Sequence, residues 1–293
     1  MMTGERFRTF CPVAAVIVIL TTVTALALPG AGPNPLRGLS TPPSPSALIP
    51  QARIYFKLSP GEQVAYTLPL KSGEYAEVSI EQLEGLLQAV LISPDGKQGV
   101  PHLIDAGRGS VIRLPIVAEQ DGVYLVRVAV RVPEPEGAGS IIATIPHAAT
   151  ASDLNYAAGW NQFAEAEWIR KNGSPKAQAK GLRDYGAAFN AAESLKDWTL
   201  ARAALTGKAR IMLFNLTDYP AGTNAVQKAT RIPGAGEDTS GEALAWKTLS
   251  SAESYSGDYA ASIDAANKAL TLYRVTGDRY WQGIVLGNIA YAY

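Results

Sequence analysis

The chain has two histidines and one cysteine, so few residues are available for chemistry of that kind. His102 follows Val100-Pro101 in a loop-like stretch, and His147 lies where a strand-rich half gives way to a helical one. A Ser-His-Asp arrangement is open to either, but no G-x-S-x-G elbow exists to hold the serine. Two lone histidines without cysteine support make a poor zinc set. Both read more simply as solvated loop histidines. Asp95, Asp105 and Asp121 could gather at one rim and hold Ca²⁺, although aspartates in such places mostly make turns. Pro233-Gly234-Ala235-Gly236 lacks the G-K-S/T ending of a phosphate loop, and no strand precedes it. The chain therefore reads as a non-enzyme, with no catalytic residue, no cofactor site and no metal ligand. Lys plus Arg equals Asp plus Glu, at 26 each, which removes any global pull toward nucleic acid. Cys11, near the N-terminus, has no partner for a disulfide within one chain.

What remains is binding, and the second half holds the elements that would position it. Helix-length apolar patterns flank Gly257-Asp258-Tyr259, and a third begins after Gly277-Asp278-Arg279. A Gly accepts positive φ and ends a helix, and the Asp beside it can cap the next one. Four classes of residue then recur in one register. Ala188, Ala229 and Ala269 are 41 and 40 apart, as are Ala209, Ser250 and Ala290. Gly181, Gly222 and Ser262 share a small site, and Leu205, Trp246 and Leu286 share a bulky one. The pattern resembles the tetratricopeptide repeat, with departures at Ser250 and Glu253. An Ala-rich helical bundle without repeats is the plainer alternative. The middle repeat is the weakest, since Pro220 and Gly222 fall in its second helix. Residues 153–172 and the helix opened by Ser174-Pro175 form an irregular first pair.

The resemblance implies a binding face. Residues one step off the packing positions of the first helix of each pair would line a concave groove. On the Trp246 register these are Arg210, Phe214, Lys247, Ser251, Tyr255 and Tyr291, with Asn288 able to fix an extended backbone. Two cations and three rings imply a protein or peptide ligand with an acidic or C-terminal carboxylate. The carboxylate clamp of chaperone-binding repeats is not reproduced. The five tryptophans, Trp160, Trp168, Trp198, Trp246 and Trp281, all fall in this half and read as core.

The first half divides differently. Residues 1–27 read as a signal peptide: Arg6 and Arg8, an apolar run, then Ala25-Leu26-Ala27. The expected location is therefore extracytoplasmic, with membrane contact only through an uncleaved signal segment. Residues 28–50 are a Pro-rich linker. Residues 51–148 carry short alternating runs broken by turns such as Ser93-Pro94-Asp95-Gly96, which predicts seven or eight strands in an antiparallel β-sandwich. Leu58-Ser59-Pro60-Gly61-Glu62, residues 90–96, Asp105-Ala106-Gly107 and residues 121–128 resemble the pre-peptidase-like domain of secreted bacterial proteins.

The predicted fold class is thus multidomain, a sandwich followed by an all-α tetratricopeptide-type solenoid over residues 151–293. That solenoid reads as cut short inside a helix at Tyr293. The order resembles the N-terminal part of proteins that carry a caspase-like CHAT peptidase domain. Three readings follow: a non-enzymatic interaction scaffold, the regulatory half of such a protease, or a carbohydrate or cell-wall binder using the sandwich. Oligomeric state and partner identity are not written in these patterns.

Overall fold

A computed structural model describes residues 44–131, 136–233 and 238–293. The expected signal segment, most of the Pro-rich linker, the tip of the connection near residue 135 and most of the 233–236 loop lie outside the described residues.

Two sheets enclose one apolar layer. The first has the order β1 (Ser46–Ala47), β3 (Gln63–Leu70), β7 (Gly122–Val130) and β5 (Leu87–Ile92). The second has β2 (Ile54–Leu58), β8 (Gly137–Ala143), β4 (Glu74–Glu84) and β6 (Val111–Val117), with β9 (His147–Ala148) beside the start of β4. Strand alternation sends one face of each inward. Leu68, Val126 and Val128 from one sheet meet Ile80, Ile112 and Ile141 from the other, all essentially inaccessible. Each such side chain contributes roughly 1.5–3 kcal/mol of burial.

The sandwich differs from its sequence reading at its first border. β1 runs parallel to β3, pairing Ser46 with Tyr66, and Leu48 joins the core at 3 % exposure. The end of the Pro-rich stretch is therefore part of the sheet. An unpaired edge of β3 offers backbone groups, and Leu48 supplies the apolar anchor. At the other border, β9 pairs with Glu74 and Tyr75, and Thr150 caps the next helix two residues later. The described residues all fall in one compact unit, with no linker between the two halves.

The helical half contains α1 (Ala151–Asn172), α2 (Gln178–Leu195), α3 (Trp198–Arg210), α4 (Tyr219–Ala229), α5 (Thr239–Tyr255), α6 (Tyr259–Val275) and α7 (Arg279–Ala292). Thr150 and Asp153 form a capping box at α1. The five later caps are Asp197, Asp218, Asp238, Asp258 and Asp278, each accepting a backbone N–H three residues on. Their spacings are 21, 20, 20 and 20 residues. The extra residue in the first interval is absorbed by a π turn, Ile211–Asn215, that continues α3. A π turn holds one residue more than an α turn, so the register recovers by Asp218.

Successive helices pack in antiparallel pairs, and α1, α3, α5 and α7 contact one another in a row. The small recurring residues sit at the crossings. A Cβ on Gly222 would lie 2.5 Å from Leu213 Cγ. Ser262 Oγ donates to the Ser250 carbonyl at 2.8 Å. Ala188, Ala229 and Ala269 are fully buried. The bulky class is graded, from Leu205 at 8 % through half-buried Trp246 to Leu286 at 49 %. Trp246 packs beneath Lys268, whose Nζ is 4.1 Å from the ring centre.

Candidate binding face of the helix row

A loop of the sandwich, residues 101–110, lies across the row formed by α1, α3, α5 and α7. Gln82 holds its base. The Gln82 side chain donates to the Ile104 carbonyl (3.1 Å) and to Ser110 Oγ (2.6 Å), and it accepts from Leu87 N (2.6 Å). Residues 101–107 are buried. Ile104 and Ala106 belong to the helical core with Trp160, Phe163, Leu244 and Trp281.

Asp105 is the centre of the contact. Its carboxylate pairs with Arg170 at 2.7 Å, Lys171 at 2.9 Å and Arg210 at 3.0 Å, and also with Arg131 at the end of β7. Burial pushes the Asp105 carboxyl up, but Arg210, Arg131, Arg170 and Lys171 outweigh it and hold the group well below the usual carboxylate range. Glu167 is the second anion. It pairs with Arg170 at 2.6 Å and accepts the Tyr185 hydroxyl. Four cations thus surround two carboxylates. Burial lowers Lys171 to about 8, against the opposing pull of Asp105.

Further along the loop the contacts are to backbone. Arg108 N donates to Asp278 Oδ2 at 2.8 Å, at the cap of α7. Ser240, in α5, donates to the Arg108 carbonyl. Gly107 has φ +83°, and a Cβ there would lie 2.3 Å from Asp278 Oδ2 and 2.5 Å from Trp281 Cδ1. Only Gly fits that position.

The residues expected from sequence to form a binding face divide into two groups. Arg210 is taken by Asp105 and does not face open solvent, because the sandwich loop covers the end of α3. Lys247 lies between rings, its Nζ 6.0 Å from the Phe214 centroid and 5.8 Å from that of Trp281. Burial and the Arg210 charge lower it to about 8, with Asp105 opposing. Phe214 meets Tyr255 edge-on at 6.1 Å, and Tyr255 stacks on Tyr219 at 5.4 Å. Ser251, Tyr255, Asn288 and Tyr291 line one open cavity of about 390 Å³ between α5 and α7, with Ser250 and Ser254. Asn288 Nδ2 lies 3.5 Å from Ser251 Oγ.

Arg131, Arg170 and Lys171 were not among the expected binding residues, and Asp105 was considered only as a Ca²⁺ candidate. Asp105 stands 26, 65, 66 and 105 positions from its four partners, and no local pattern links it to a helix. The other candidates of the first half have separate tasks. Asp95 caps its own turn by accepting from Lys97 N (3.1 Å), and Asp121 accepts from Ser72 N (2.8 Å). His102 is not a solvated loop residue. It is buried against α1, its Nδ1 is 2.8 Å from the Arg113 carbonyl, and burial lowers it to about 4. His147 is half exposed, 3.9 Å from Asp153. A polar cavity of about 450 Å³ lies between the sandwich and α1, lined by Asp95, Lys97, Glu119, Asn161 and Glu165 among others. No group of three or more His, Cys, Asp or Glu able to hold a metal occurs among the described residues. No helix among them is long and apolar enough to cross a membrane.

No protein-family model matches the sequence, and no curated protein matches it. Among solved structures, the chain is similar to the pre-peptidase C-terminal domain of collagenase from Bacillus anthracis. That likeness has a TM-score of 0.30 and 16 % identity, covering 36 % of this chain and 99 % of that one. It is also similar to PliG of Aeromonas hydrophila, a periplasmic inhibitor of g-type lysozyme, with a TM-score of 0.27 and 13 % identity, covering 35 % and 96 %.

Proposed function

We propose that this chain is a non-catalytic interaction module whose tetratricopeptide-type helix pairs present the α1–α3–α5–α7 row as a concave face for a peptide or protein segment. One observation carries this reading: the face already holds a stretch of polypeptide, residues 103–109, through contacts from all four helices of the row. Both side-chain and backbone groups of that stretch, which turns at Asp105-Ala106 and Arg108-Gly109, are engaged by the helices. The open part of the face has the composition of a binding patch, with the rings of Tyr255 and Tyr291 beside the Asn288 amide and three serines. On this reading the sandwich, residues 46–148, braces the helices of residues 151–293, and the ligand is met outside the cytoplasm.

The test is a peptide-display selection on the full chain, followed by titration of the enriched peptides against a Tyr255→Ala, Asn288→Ala variant. Both side chains are at least partly exposed, so the variant should melt like wild type. Affinity is expected to drop about tenfold or more, as for loss of an aromatic anchor. Enriched peptides that bind both proteins alike, or no enrichment at all, would remove the reading.

A further inference from the structure

The loop in the face also says what the face is built to take. We infer that residues 103–109 are an internal stand-in for the external ligand, and that this ligand is a turn-forming segment bearing one aspartate between small or apolar residues, which binds by displacing the loop. The inference rests on the proposed peptide-binding reading and adds the partner's chemistry to it.

Three features support it. First, charge: Arg170, Lys171 and Arg210 come from the helices, and Arg131 from the end of β7. Their principal anion comes from a loop. With the loop withdrawn, Glu167 alone would oppose three helix cations, and a carboxylate from elsewhere would be strongly favoured. Second, fit: Trp281 Nε1 and Thr206 Oγ1 are buried beneath or beside the loop without a hydrogen-bond partner among the described residues. Ile104, Asp105 and Ala106 also leave a cavity of about 30 Å³ against α1, α3 and α5. The loop leaves both groups unmatched, so an occupant with a polar group at either place would fit better. Third, mechanics: Gly107 and Gly109 both have φ +83°, and the loop has no helix or strand of its own, so its backbone can change course. Gln82 at its base would keep the sandwich intact meanwhile.

The probe is a fluorescein-labelled heptapeptide with the sequence of residues 103–109, and a second in which its aspartate is asparagine. Anisotropy is measured on the full chain as wild type, Gly107→Ala and Asp105→Asn. The Gly107→Ala change undocks the loop by collision with Asp278 and Trp281 and leaves every cation in place. Both variants should bind the aspartate peptide about tenfold or more tightly than wild type, because the docked loop no longer competes. The asparagine peptide should show little of that gain, and Arg210→Ala added to Gly107→Ala should remove most of it. Equal affinity of wild type and cooperatively melting variants, or equal affinity for the two peptides, overturns the inference. If neither variant melts cooperatively, amide exchange on wild type decides. Saturating aspartate peptide should speed exchange at residues 104–109, and unchanged exchange overturns displacement. Selected peptides that bind at Tyr255 and Asn288 while the loop stays protected would leave the interaction reading standing and remove this one alone.

Discussion

Asp105 Oδ2, on a loop of the β-sandwich, lies 3.0 Å from Arg210 Nη1 at the end of α3, 105 positions later in the chain. This pair joins the two halves of the protein and fills part of the face that the helices present. The two residues should be strongly coupled. Asp105→Ala removes the shared anion of four cations and leaves only Arg170 with another carboxylate, Glu167, and breaking a buried ionic cluster from one side costs about 3–5 kcal/mol. Arg210→Ala should cost less, since three cations remain on Asp105. Urea unfolding of both single variants and the double variant should give a coupling of about 1–3 kcal/mol. Additive losses would mean that the pair makes no effective contact.

His102 should make the sandwich–α1 contact acid-sensitive. Its folded value is lowered to about 4 from 6.5 by burial, with the Arg113 carbonyl and the Asn161 side chain opposing. Between those values the unfolded chain binds more protons than the folded one, so stability rises with pH. The contribution is complete above about 6.5 and is lost as pH falls toward 4, amounting to about 3 kcal/mol in all. His102→Gln should flatten the melting temperature across pH 4–6.5, whatever its effect at neutral pH. An unchanged slope would show that His102 is charged in the folded state.

Lys247 should be a liability at neutral pH. Burial beside Arg210 lowers it to about 8, so the folded protein binds fewer protons than the unfolded chain between 8 and 10.5. Stability from this group therefore increases as pH rises through that window. Lys247→Met keeps the apolar stem between Phe214 and Trp281 and removes the charge. It should raise stability at pH 7 by about 1–2 kcal/mol, with the gain shrinking toward pH 10. A loss of stability at pH 7 would place the ammonium in water or against an anion.

The helix pairing was legible in the sequence because it rests on small residues at fixed intervals. Gly181 packs against the Ile169 and Ile211 side chains, Gly222 against Leu213 and Ser262 against the Ser250 backbone, and even the 41-residue step has a physical cause in the π turn after α3. The aspartate caps carried the same signal, although only those at Asp258 and Asp278 stand beside obvious glycine turns. That Ser251, Tyr255, Asn288 and Tyr291 share one surface was legible through helical spacing. The covered part of the face was not. Arg210 looked like a free cation because the residue that neutralises it belongs to an aperiodic loop, and long-range ion pairs leave no periodicity to read. His102 and Leu48 were misplaced for the same reason, since each is buried by an element distant in the chain.

Gly222→Ala should report on the pairing directly. The added Cβ would meet Leu213 Cγ at 2.5 Å and Leu213 N at 3.3 Å. Backbone on one side limits relaxation, so overpacking should cost about 1–3 kcal/mol despite the better helix propensity of Ala. A more stable Gly222→Ala variant in thermal melts would mean that α4 does not sit this close to the π turn.

The central claim is that the helix row is where a peptide binds. Amide chemical-shift mapping on the full chain, with a peptide enriched by display, tests it most directly. The expected result is a continuous set of perturbations at Lys247, Ser251, Tyr255, Asn288 and Tyr291, extending to residues 104–109 if the loop is displaced. Perturbations confined to the polar cavity around Asp95, Lys97, Glu119 and Glu165 would contradict the claim and assign binding to the sandwich.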